Sequence, residues 1–154
     1  QLTASQTNKP IALLLDGLDL RSAGERTWRR RVVCVPQFHQ NHVVADTIAL
    51  NVLLGGAWPP TPDDLRQARE VCEELGLGAV LSAMPGGLAQ GIGDGGWQLS
   101  HGERARLFLA RAMVQRPAVL VVDESFGAMD PITLDQVLGC LERRATALVV
   151  IAHP

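Results

Sequence analysis

The sequence predicts an α/β fold, a parallel-sheet core that also carries a helical unit, and three observations support it. Residues 118–122 (AVLVV) are apolar without alternation, as in a central parallel strand covered on both faces. Residues 147–152 (ALVVIA) form a second buried strand after an amphipathic, helix-spaced stretch. A capped amphipathic helix over 100–116 runs directly into the first of these strands.

The chain has 154 residues, enough for one domain with a sizeable core. Hydrophobic residues make up 47%, charged residues 19%, and the net charge is −2. That is an ordinary globular composition, with no overall basic field for nucleic acid. No apolar run is long enough to span a bilayer, and QLTASQTNKP has no signal-peptide layout. Cys34, Cys72 and Cys140 are odd in number and far apart. They fit neither a disulfide framework nor a metal site, so they are expected to be buried fillers in a reducing compartment.

Taken in order, residues 1–9 are polar and expected to fray. Residues 11–15 (IALLL) read as a strand and Asp16-Gly17 as a turn, followed by Leu18-Asp19-Leu20. The basic run 26–31, with Trp28, reads as a solvated helix face. Residues 32–35 are a short β-branched strand ending at Pro36-Gln37. His39 and His42 have no third ligand nearby and read as surface histidines. After the loop Trp58-Pro59-Pro60, Thr61 caps a helix that starts at Pro62. Leu65, Ala68, Val71, Cys72 and Leu75 form its apolar face, and Gly76 ends it. A second short helix, 79–84, stops at Pro85-Gly86-Gly87, and the glycine-rich stretch 88–98 follows.

The next stretch is where chemistry concentrates. Ser100 and Glu103 fit a capping box, in which each side chain satisfies a backbone N–H at the helix start. Ala105, Phe108, Leu109, Ala112 and Met113 then recur at helical spacing, and Pro117 stops the helix. Gly102 leaves the first turn bare, so an anion can approach its free N–H groups and the positive end of the helix dipole. The strand 118–122 runs straight into Asp123 and Glu124, and open α/β sheets bind ligands beyond the carboxyl ends of their strands. An apolar strand ending in Asp-Glu matches the Walker B pattern, in which the Asp serves Mg²⁺. Asp130 then reads as the N-cap of a helix starting at Pro131, with Ile132, Leu134, Val137, Leu138 and Leu141 on its apolar face.

LSHGE-x-A-R-x-x-x-ARA, then VLVVDE, then Ala128-Met129-Asp130 resemble the signature motif, Walker B and D-loop of ATP-binding cassette (ABC) proteins. Other stretches extend the resemblance. The strand, Asp16-Gly17 and Leu18-Asp19-Leu20 resemble the element after the Walker A helix, and Gln37 resembles the Q-loop glutamine. Residues 46–55 resemble the T-I-x-x-N-I-x-x-G stretch of ABC exporters, and 88–98 resemble the segment exporters carry before the signature. His153, after ALVVIA, resembles the H-loop histidine. The usual signature is LSGGQ or LSGGE; here His101 replaces the first Gly. No G-x-x-x-x-G-K-S/T occurs in the chain.

The resemblance implies an exporter-type cassette beginning just after the Walker A helix: the C-terminal part of an ABC-type P-loop ATPase domain, expected to be a fragment that is inactive alone. Residues 1–10 would be a polar stretch and 11–41 the end of the β-subdomain with the Q-loop. Residues 42–116 would be the helical subdomain with the signature, and 117–154 part of the ATPase core. It further implies ATP and Mg²⁺, with Asp123 and Gln37 at the metal, and Glu124 as general base assisted by His153 and Gln37. Leu99, Ser100, His101, Gly102, Glu103 and Asp130 would face nucleotide shared with a second cassette. A transmembrane domain, fused or separate, would complete a transporter, placing the chain at the cytoplasmic face of a membrane.

Two other readings compete. A chromosome-maintenance or DNA-repair ABC ATPase separates the Q-loop from the signature by a long coiled coil. Here about sixty residues intervene, without a heptad repeat. A degenerate, non-hydrolysing regulatory or dimerisation module is favoured by His101 and the missing P-loop, and opposed by Asp123, Glu124 and His153.

Overall fold

Three apolar stretches predicted as strands meet in one parallel sheet. The structure, a computed structural model, describes residues 2–3, 14–15, 17–37 and 40–151. At the N-terminal end, β1 (Leu2–Thr3) pairs antiparallel with β2 (Leu14–Leu15). The pairing gives residues 2 and 3 a backbone partner, so these two do not fray as expected, while the rest of the stretch 1–9 lies outside the described residues. Of the strand expected at 11–15, only the last two residues lie within the described part.

Asp19 then caps α1 (Leu20–Ala23), accepting from the Ser22 N–H at 2.7 Å. The basic run lies on α2 (Glu25–Arg31), which buries no residue, so a solvated helix face is what forms. β3 (Val32–Val35) occupies the four residues predicted for it. Four helices follow: α3 (Ile48–Val52), α4 (Pro62–Glu74), α5 (Gly78–Ala83) and α6 (His101–Met113), with a 3-10 turn at Gly87–Ala89 before α6. The chain closes with β4 (Val119–Asp123), α7 (Pro131–Arg144) and β5 (Ala147–Ile151).

The sheet order is β3–β4–β5. Val35 stands opposite Val122, and Asp123 opposite Ile151, so all three strands point the same way. β4 is central, as its apolar run predicts, but cover is complete only in the middle. Val119, Leu120 and Val122 are buried, whereas Val150 and Ile151 on β5 are each 44% exposed. Cys34 on the other outer strand is exposed too, which corrects the expectation that all three cysteines are buried; Cys72 and Cys140 are. The reason is position: an outer strand has a neighbour on one side only.

The strongest core element is α6. Besides the predicted face it buries Leu107 and Ala110, because it lies between the sheet and the helices α3 and α4. Full burial of a leucine such as Leu107 or Leu109 is worth about 1.5–3 kcal/mol. α6 ends at Met113, before Pro117, since Arg116 turns to φ 49° and the residue before a proline avoids the helical region.

Two of the three long helices, α4 and α6, start on capping boxes. In α4, the Thr61 hydroxyl accepts from the Asp64 N–H while the Asp64 carboxylate accepts from the Thr61 N–H at 2.8 Å. α4 is joined to α7 at its far end, where Arg144 holds the Glu74 carboxylate through Nε at 2.7 Å and again through Nη2. The Gln136 amide adds a bond to the Glu74 carbonyl at 3.1 Å.

Candidate functional site

Parallel pairing of β3 with β4 brings both strands to an end on the same side of the sheet. The chain leaves β3 through Pro36 and Gln37 and leaves β4 through Glu124 and Ser125, so Gln37, Asp123 and Glu124 share one rim. All three are half-buried. The Ser125 hydroxyl ties the two exits together, lying 3.3 Å from the Pro36 carbonyl and 3.0 Å from that of Asp123. Burial, and after it the charge of Asp123 on the neighbouring strand, pushes the Cys34 thiol up from its ordinary pKa.

Glu124 has an unusual backbone. Its φ of 45° is a left-handed value that non-glycine residues seldom adopt, and such outliers concentrate at functional sites. What holds it there is the ladder: the Glu124 N–H donates to the Ile151 carbonyl at 2.9 Å. One carboxylate oxygen, Oε1, is buried.

The start of α6 forms the second part. The Ser100 hydroxyl accepts from the Glu103 N–H at 3.2 Å, and the Glu103 carboxylate accepts from the Ser100 N–H at 2.7 Å, the reciprocal box expected from sequence. Capping uses the serine oxygen only as an acceptor, so its O–H proton is not committed by the cap. Leu99 is buried beneath the turn, while Ser100 and His101 are exposed. Gly102 faces inward: a Cβ there would stand 2.9 Å from the Ala128 carbonyl oxygen. The α6 turn therefore abuts the 125–130 turn that leaves the acidic strand.

Asp130 ends that turn. Its carboxylate caps α7, accepting from the N–H groups of Ile132 and Thr133 at 3.1 and 3.0 Å and from the Thr133 hydroxyl at 2.6 Å. The Thr133 hydroxyl and its backbone N–H hold the Asp130 carboxyl below the usual carboxylate range. The structure thus gathers Gln37, Asp123 and Glu124 at one rim. It joins the 99–103 turn to the neighbouring 125–130 turn and places Asp130 at the next helix start. His153 lies outside the described residues, as does His39; His42 is exposed.

Two residues that hold this frame, Asn51 and Arg111, stand in the sequence only as motif positions with no role assigned to them. Asn51 is completely buried on α3, and Arg111 of α6 reaches it. A polar amide inside the apolar stretch Ile48-Ala49-Leu50-Asn51-Val52 was the available signal. The glycine-rich stretch 88–98 is also pinned, with the Ile48 N–H donating to the Gln90 carbonyl and the Ile92 N–H to that of Asp46.

A family model described as ABC transporter matches residues 2–127. The ABC multidrug transporter MDR2 of Trichophyton tonsurans is 32% identical over 144 residues, covering 92% of this chain and 10% of that protein. ABC transporter B family member 13 of Arabidopsis thaliana is 31% identical over 145 residues, covering 92% of this chain and 11% of that protein. A bacterial Atm1-family ABC exporter solved with ATP bound superposes with a TM-score of 0.78 at 25% identity, covering 94% of this chain and 25% of that one. The chain spans about a tenth of the length of the curated relatives it matches.

Proposed function

Given that the chain belongs to the ABC transporter family, we propose that it forms part of the nucleotide-binding domain of an exporter, in which ATP hydrolysis drives transmembrane transport. The observation that carries this reading is the shared rim of Gln37, Asp123 and Glu124, adjoining a capped helix start that leaves N–H groups and a serine hydroxyl available for phosphate.

Phosphoryl transfer depends on positioning and charge neutralisation more than on covalent chemistry. Asp123 and Gln37 would hold Mg²⁺. Both offer hard oxygen donors, and this ion is usually bound by one or two carboxylates plus substrate phosphates. When bound, Mg²⁺ supplies positive charge against the phosphates.

The remaining steps belong to the chain. Glu124, fixed by its ladder bond to Ile151, would accept the proton of the attacking water. His153 would donate to the γ-phosphate and offset the charge that develops on it. Leu99, Ser100, His101, Gly102 and Glu103 would form the turn that caps nucleotide on a second cassette, with Asp130 linking the two sites across the interface. A membrane domain, fused or separate, would receive the resulting movement at the cytoplasmic face. No helix among the described residues is long and apolar enough to cross a membrane.

The test is Glu124→Gln in the full-length polypeptide that carries this sequence. ATP turnover is expected to fall by about 10²-fold or more, the usual worth of a positioned general base. Unchanged turnover in that variant removes Glu124 from the base role. No turnover in the unsubstituted protein selects the non-hydrolysing regulatory reading, which the exposed His101 in place of glycine favours.

A further inference from the structure

We propose that Arg111 is a positioning residue that fixes the segment following Gln37 onto α6, so that the Gln37 strand end and the Ser100 turn keep one relative placement; the functional consequence rests on the reading above. The segment is held by a fully satisfied buried amide. Asn51 Nδ2 donates to the Val44 carbonyl at 2.9 Å and the Thr47 carbonyl at 3.0 Å. Its Oδ1 accepts from the Val44 N–H at 2.9 Å and from Arg111 Nη2 at 3.2 Å. Two donors and two lone pairs are thereby used, the full capacity of the side chain.

Arg111 extends this grip along the loop. Its Nε donates to the Asn51 carbonyl at 2.8 Å, Nη2 to the His42 carbonyl at 3.2 Å, and Nη1 to Asn41 Oδ1 at 3.3 Å. The guanidinium also lies 5.4 Å from the Phe108 ring centroid, within cation–π range. A planar fork that bonds four acceptors and stacks on a ring is not replaceable by a lysine point charge.

At its other end α6 is gripped again. Gly102 abuts the Ala128 carbonyl, and Arg106 donates to the Gly102 carbonyl at 3.2 Å and the Gly76 carbonyl at 2.7 Å. Arg111 and Ser100 are separated by about 16 Å of rigid helix. A tilt released at Arg111 therefore moves the Ser100 turn, and misplacement by about 1 Å can cost about 10²-fold in rate.

The experiment compares Arg111→Met and Arg111→Lys with the unsubstituted full-length protein by steady-state ATP turnover and by amide hydrogen exchange. Turnover is expected to fall about tenfold to a hundredfold in Arg111→Met with KM for ATP within about twofold, and to recover only partly in Arg111→Lys. Exchange is expected to accelerate at residues 41–47 and also at 99–103, while the sheet stays protected. Acceleration confined to 41–47, or spread uniformly over the chain in both variants, overturns the proposal, as does unchanged turnover. If the unsubstituted protein lacks turnover yet both segments respond together, the hydrolytic reading fails and the Arg111 linkage stands.

Discussion

Gly102 is glycine because of its neighbour. With the Ala128 carbonyl oxygen 2.9 Å from where a Cβ would stand, one methyl group must displace either the helix start or the 125–130 turn. Gly102→Ala is expected to destabilise the fold by about 1–3 kcal/mol, the usual cost of overfilling a packed site, read as a lower denaturant midpoint. Asn51 fails in the opposite sense. Asn51→Ala leaves the Val44 N–H without its acceptor, while the Val44 and Thr47 carbonyls keep the backbone N–H groups of Asp46 and Asn51, so the cost is about 1–3 kcal/mol for the one orphaned donor. Its denaturant midpoint should fall by a similar amount. The two residues differ in how legible they are from sequence. Gly102 sits in a motif that names itself, whereas the partners of Asn51 lie on another helix and a loop, and no local pattern encodes them.

At the scale of elements, the boundaries followed local chemistry wherever it was strong. Proline, threonine, serine and aspartate at helix starts put α4, α6 and α7 where the sequence predicts them. What local signals lacked was the way elements are tied to one another. The α4–α7 junction is an example: Glu74 and Arg144 are distant in sequence, yet the Arg144 guanidinium holds the Glu74 carboxyl below the usual range. A lowered folded pKa means the pair contributes stability above the ordinary carboxylate range and loses it as pH falls through the lowered value. Both side chains are partly exposed, so the contribution is about 1 kcal/mol or less. Arg144→Gln should therefore be slightly less stable than the unsubstituted chain at neutral pH. The difference should shrink as pH falls below the ordinary carboxylate range, as measured by urea unfolding at neutral and at acidic pH.

For the whole molecule, the exposed apolar margin of β5 sets behaviour in isolation. Its backbone edge offers a template for pairing, and Val150 and Ile151 add apolar surface beside it. The 154-residue chain alone is expected to self-associate and to hydrolyse no ATP, and Val150→Lys should shift its elution towards monomer by size exclusion without restoring turnover. The parallel sheet and an exposed sheet edge were both foreseeable from the sequence, while the strand that carries the edge was not, because burial of an outer strand depends on what lies beside it. Connectivity has a temporal consequence as well. The bond from Ser125 to the Pro36 carbonyl spans 89 residues, so β3 has to wait for nearly the entire helical unit before its neighbour exists. During synthesis, α3 to α6 have their main partners early, whereas the rim that gathers Gln37, Asp123 and Glu124 is assembled last, by the slow, long-range closure typical of parallel sheets. A nascent chain that has emerged only as far as Ala118 holds the residues of the helical unit and a site that does not yet exist.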